Sequence, residues 1–295
     1  MSTIIQSISE IQNNYQAFFC DVWGVVHNGE TANVAAVEAL MRLRAAGKFV
    51  ALVTNAPKTP SAIIEQLREK NIPDTAYDAI ITAGEALQHA MFTTDLKAPY
   101  FIGRDSDRVL FSDLPDGISN DLVDTSIDQA DSVLCAGLRD DDIETVADYE
   151  IELRQALNRK LPMYCANPDI TVHRGEKLIY CAGALAQFYE NLGGTVYNFG
   201  KPFPPIYQLA MNKAQPHFGN RLGASDVLFI GDGVLTDLKG AMLEDMDALF
   251  VSGGLAFEET GTDRESDKPT PDMTMLQEFL SENQSNPLYT IGTLR

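Results

Sequence analysis

Short, almost continuous apolar runs alternate along this chain with stretches whose apolar residues recur every three or four positions. Residues 17–22 (AFFCDV), Phe49–Thr54 (FVALVT) and Ala79–Thr82 (AIIT) read as buried strands. Between them, residues 33–46 carry Val34, Val37, Leu40, Met41 and Leu43 at near-helical spacing, with Gly47 as a stop. Residues 60–70 place Ile63, Ile64 and Leu67 on one helical face, and 85–91 begin another helix. The end of the chain repeats the grammar. Strands are expected at 196–199, 227–230 and 248–251, with helices at 205–214 and 238–243. A second α/β block lies between. It has apolar runs at 100–102, 132–136 and 162–166, helices at 141–158 and 185–192, and no repeat or low-complexity tract. Residues 258–271, rich in Asp, Glu, Thr and Pro, read as an exposed loop before a short C-terminal helix. Strand–helix–strand order with continuous apolar strands predicts an α/β fold on a parallel sheet covered on both faces.

Composition narrows the function classes. A length of 295 residues with 45% hydrophobic and 22% charged residues describes one large or two ordinary globular domains. The net charge of -20 disfavours nucleic acid and anionic membranes as partners, because both need clustered Lys and Arg. An anionic small substrate stays compatible, since a metal ion and one lysine reverse the sign locally. Cys20, Cys135, Cys165 and Cys181 form no CxxC pair and read as buried thiols rather than a disulfide scaffold. The first fifteen residues do not read as a signal peptide, and no run approaches the ~20 apolar residues of a membrane span. The cytoplasm is the expected location.

Four polar signals fall at the ends of expected strands, where α/β sheets bind ligands. Asp21 follows the first apolar run, in FFCDVWGVVHNG, and Gly24 permits a sharp turn there. Thr54 and Asn55, in ALVTNAP, can hold a phosphate oxygen or simply form a turn. Lys201 sits between Gly200 and Pro202 in YNFGKPFPP, as a phosphate-neutralising lysine or a surface one. In VLFIGDGVLTDLKGA an apolar strand runs into Gly-Asp-Gly at Asp232, and Asp237 follows as a second ligand or as a helix cap. Paired carboxylates of this kind suit Mg²⁺.

With these segments in place, the chain resembles the haloacid dehalogenase superfamily, and within it the class IIA phosphatases, which include p-nitrophenyl, pyridoxal and predicted sugar phosphatase groups. The resemblance runs over nearly the whole chain and rests on DVWGV at 21–25, VTNAP at 53–57, GKP at 200–202 and GDGVLTD at 231–237. It implies a Rossmann-like core formed by residues 1–96 and 195–295, with an inserted α/β cap at 97–194. It also implies roles. Asp21 would be the nucleophile, forming an aspartyl-phosphate. Thr54, Asn55 and Lys201 would hold the phosphoryl group. Asp21, Asp232, Asp237 and the backbone carbonyl of Trp23 would bind Mg²⁺. Asn167, Asp169, His173 and Arg174 of the cap would face the leaving group of a small phosphorylated metabolite. Cap-to-cap dimers occur in related proteins, so a homodimer is compatible with the resemblance.

One position departs from the pattern. The superfamily signature is Asp-x-Asp, whose second Asp protonates the leaving group and then activates water, and here that position is Trp23. General acid–base catalysis contributes about 10²–10⁴ in rate. Three readings stay open. His27, in the same loop, takes over proton transfer. The substrate has a good leaving group. Or the protein binds a phosphorylated ligand for regulation with little or no turnover. A phosphomutase also wants the second Asp. A receiver domain is shorter, a dinucleotide fold needs GxGxxG after the first strand, and a zinc hydrolase needs His/Cys spacings absent here.

Overall fold

The computed structural model describes residues 2–93, 96–111, 125–174 and 177–295. In chain order its strands are β1 (Thr3–Ile4), β2 (Ala17–Asp21), β3 (Phe49–Thr54), β4 (Ala79–Thr82), β5 (Pro99–Ile102), β6 (Ser132–Cys135), β7 (Met163–Cys165), β8 (Thr171–Arg174), β9 (Lys177–Tyr180), β10 (Val196–Asn198), β11 (Val227–Gly231), β12 (Asp247–Val251) and β13 (Tyr289–Ile291). The chain divides into two compact units. One comprises Met1–Thr54, Ile64–Ile81 and Tyr207–Arg295, the other Asn55–Ile63 and Thr82–Ile206.

The first unit is built on a seven-stranded sheet in the order β1-β13-β12-β11-β2-β3-β4. The central strands β2, β3 and β11 are buried at every residue and pair in parallel, the expected state of a continuous apolar run covered on both faces. Helix α1 (Val34–Ala45) packs on β3. Asn33 caps it by accepting the Ala36 N–H at 3.4 Å. Its buried face is Ala36, Val37, Ala39, Leu40 and Leu43, and the two alanines allow close approach to the sheet. Val34 and Met41, expected inside, are 67% and 38% exposed.

The second unit carries a four-stranded parallel sheet, β10-β7-β6-β5, and the antiparallel hairpin β8–β9. Its core gathers Ile102, Val133, Cys135, Tyr149, Leu153, Leu185 and Tyr189. The helix expected from residue 141 starts later, as helix α2 (Glu150–Asn158), behind a short turn of 3₁₀ helix (Val146–Tyr149). Asp148 accepts the Thr145 N–H at 2.7 Å, and this local bond competes with helix upstream. All four cysteines are buried, and no disulfide joins them. Among the described residues no helix is long and apolar enough to cross a membrane.

Candidate active site

Parallel pairing of β2 with β3 and β11 brings three strand ends to one edge of the first unit's sheet. Asp21 ends β2, Thr54 ends β3, and Asp232 follows the last residue of β11. Five residues on, Asp237 lies within a π-helical turn (Val234–Leu238) closed by the Leu238 N–H on Gly233 O at 3.1 Å. Such turns are rare and favour functional sites. Gly233, not Asp237, is therefore the N-cap residue, and Asp237 accepts the Gly233 N–H at 2.9 Å from inside the turn.

The three carboxylates are 6%, 2% and 1% exposed, and each offers an oxygen within 4.8 Å of the others. At an effective dielectric of ~20, each such pair of charges repels by about 3 kcal/mol. Glycines make the crowding possible. A Cβ at Gly24, whose φ is +89°, would lie 2.1 Å from Asp232 Oδ2, and one at Gly254 would lie 2.2 Å from the same atom. A hard, oxygen-seeking divalent cation suits these donors and offsets their repulsion.

The loop after Asp21 folds back on itself. His27 O accepts the Gly24 N–H at 2.8 Å and Val22 O accepts the His27 N–H at 3.1 Å. The Trp23 and His27 rings meet edge-on, with centroids 5.2 Å apart. His27 is buried, and its Nδ1 accepts the Gly29 N–H at 3.0 Å, which assigns the ring proton to Nε2. Burial, then the nearby Lys70 charge, push its pKa down to about 4. The environment thus favours a neutral imidazole engaged in loop structure. Trp23 lies over Gly29, where a Cβ would approach its Cζ2 to 2.7 Å, and Gly29 itself has φ +95°. Gly29→Ala is expected to cost about 2–5 kcal/mol in urea denaturation, from backbone strain plus the clash. In a Trp23→Ala background only the strain, about 1–3 kcal/mol, should remain. An equal cost in both backgrounds would refute the packing.

The second unit organises a different polar group. Asn55 Oδ1 accepts the Lys201 N–H at 2.6 Å, while Asn55 Nδ2 donates to Lys201 O at 3.1 Å and to Asp169 Oδ1 at 2.8 Å. Asn167 Oδ1 accepts the Asp169 N–H at 3.1 Å. Gly200 is required, since a Cβ there would meet Asn55 Oδ1 at 2.4 Å and Pro168 Cδ at 2.5 Å. The structure therefore brings Asn55, Asp169 and Lys201 together, and Lys201 is 3% exposed. The Asn55 carboxamide, expected on a phosphate oxygen, is committed to the lysine turn and to Asp169. His173 and Arg174 belong to β8, opposite Leu178 and Lys177, but their side chains lie outside the described residues.

Sequence patterns missed the contribution of the loop after β12. The Leu255 N–H donates to Asp232 Oδ2 at 2.9 Å. The Gly253-Gly254 pair after an apolar strand was the available signal, because adjacent glycines at a strand end indicate close backbone approach.

A haloacid dehalogenase-like hydrolase model matches residues 18–114, and a HAD-hydrolase-like model matches residues 198–278. The crystal structure of a haloacid dehalogenase-like family hydrolase from Brucella suis 1330 is 36% identical and superposes with a TM-score of 0.84, over 99% of this chain and 100% of that one. A 5'-nucleotidase, YutF, from Bacillus subtilis (strain 168) is 24% identical over 90% of this chain and 98% of its own length. An acid sugar phosphatase from Staphylococcus haemolyticus (strain JCSC1435) is 23% identical over 92% and 98%.

Proposed function

The chain belongs to the haloacid dehalogenase-like hydrolases, and from that premise we propose that it is a Mg²⁺-dependent phosphatase of a small phosphorylated metabolite, working through an aspartyl-phosphate on Asp21. The observation that carries this reading is the buried cluster of Asp21, Asp232 and Asp237 at the strand ends.

In the proposed reaction one Asp21 oxygen attacks phosphorus and the bond from phosphorus to the leaving oxygen breaks. Water then attacks the phosphorus of the aspartyl-phosphate, releasing inorganic phosphate and restoring Asp21. Mg²⁺, held by Asp21, Asp232, Asp237 and the Trp23 carbonyl, would supply charge neutralisation between two anions. Thr54 and, by the family's Gly-Lys-Pro motif, Lys201 are assigned to the phosphoryl oxygens. Asn55 positions Lys201 through its backbone. Residues 97–194 are assigned to a cap that selects the leaving group, with Asn167, Asp169, His173 and Arg174 as its contributors. The cytoplasm is the proposed location.

Trp23 shapes the expected substrate class. It offers no proton to a departing alkoxide, and His27 is held neutral within the loop. Substrates that leave as stable anions, such as acyl and aryl phosphates, are therefore favoured over simple alkyl esters. The curated relatives are named for nucleotides and sugars, so both belong in the test. Phosphate release from acyl, aryl, sugar and nucleotide phosphates is to be measured with Mg²⁺ and with EDTA. Turnover that needs Mg²⁺ and falls as the leaving group becomes more basic supports the proposal. Tight binding of a phosphorylated ligand with no turnover on any panel member would replace it with a regulatory binding protein.

A further inference from the structure

Residues 258–271, expected as an exposed loop, are anchored in part to the segment that directly follows β12. Ser252, Thr260 and Thr262 are buried, and their hydroxyls form a chain, with Thr260 and Thr262 2.9 Å apart and Thr262 donating to Ser252 at 2.9 Å. Beyond this chain, Arg264 turns back over the loop. Its Nε donates to Gly253 O at 2.8 Å, its Nη2 donates to Gly254 O, and its guanidinium lies 3.6 Å from the centroid of the Phe257 ring. Burial pulls its pKa down, and Asp232 and Glu258 oppose that pull.

The carbonyl of Gly254 and the N–H of Leu255 are two ends of one peptide group. Arg264 holds the oxygen end and Asp232 Oδ2 holds the nitrogen end. A cation on a carbonyl polarises the amide and strengthens its N–H as a donor, and coupled hydrogen bonds reinforce one another. The fork of the guanidinium fixes two successive carbonyls, which a lysine cannot reproduce. The ring of Phe257 adds cation–π attraction that holds the fork in place. With Gly254 already pressed on Asp232, the orientation of that carboxylate depends on where this peptide sits.

We infer that Arg264 is a positioning residue for Asp232: through the Gly254–Leu255 peptide it orients this carboxylate for a divalent cation. The inference rests on the metal reading proposed above. Groups that orient metal ligands from behind typically contribute about 10–100-fold in metal affinity.

The test uses the full chain and Mg²⁺ alone, without substrate. Calorimetric titration of wild type, R264K and R264Q gives the dissociation constants. The Leu255 amide proton shift, measured by NMR in EDTA, reads the peptide directly. The expected result is Mg²⁺ binding weakened about 10–100-fold in R264Q, a smaller loss in R264K, and an upfield move of the Leu255 proton in R264Q. Unchanged affinity in both variants would overturn the proposal. So would tighter binding in R264Q, which would leave the guanidinium as a mere like charge near the cation. Failure of the wild type to bind Mg²⁺ would sink the metal reading instead, while the Leu255 shift would still decide whether Arg264 acts through the peptide.

Discussion

Asp21→Asn is expected to lower turnover on every substrate by at least about 10⁴-fold, because an amide cannot take up the phosphoryl group and other groups do not substitute for a lost nucleophile. The same change should leave the protein more stable in EDTA. Asp21 shares a buried site with Asp232 and Asp237, with oxygens within 4.8 Å, and asparagine keeps the shape while removing a charge that repels two others. The metal-free melting temperature should therefore rise by several degrees, and the gain in melting temperature on adding Mg²⁺ should shrink. The two readouts move in opposite directions, which separates loss of chemistry from loss of fold. Residual turnover above about 1% of wild type would remove Asp21 from the role of nucleophile.

Trp23→Asp is expected to raise turnover selectively for poor leaving groups, by about 10²–10⁴-fold on sugar and other alkyl phosphates, with little change on acyl phosphates. The wild type should show rates that fall steeply as the leaving group becomes more basic, and the variant a shallower fall. The gain comes at a structural cost. Trp23 packs edge-on against His27 and over Gly29, so its loss should destabilise the protein by about 3 kcal/mol, the low end for a tryptophan because the ring is only half-buried. A fourth carboxylate beside three others should also sharpen the requirement for Mg²⁺. If the wild-type rates hardly depend on the leaving group, some other residue already protonates it. An equal change on all substrates in the variant would mean that Trp23 serves packing alone.

The central strands were readable because a strand buried on both faces announces itself as an unbroken apolar run, as in AFFCD and FVALVT. Asp21, Thr54 and Asp232 were readable for the same reason: each interrupts such a run at its carboxyl end. Other parts leave no local trace. β1 and β13 are two and three residues long and pair with each other from distant parts of the chain, so no period exists to detect. In β9 of the hairpin β8–β9 only Ile179 is buried, which gives no alternating core pattern. Asn55 was read as a phosphate ligand because Thr-Asn after a strand suits an anion. Its carboxamide also engages Lys201 and Asp169, partners remote in sequence that no local pattern reveals. Arg264 sat in a polar loop where charged residues are ordinary, and only the path of the backbone at Gly253 and Gly254 gives it a task.

The strand order also sets a timetable for synthesis. β2 and β3 leave the ribosome early and can pair as neighbours, but β11 fills the place on the other side of β2, and it is made only after residue 226. Until then Asp21 stands at an open sheet edge without Asp232 or Asp237, and the whole of the second unit has already been translated. The nascent chain therefore passes through a long interval in which the buried strand β2 is half-paired and its acidic cluster does not yet exist. The complete set of three carboxylates exists only once residue 237 of 295 has been made, so on the metal reading proposed above cation capture would follow assembly of the central sheet rather than guide its beginning.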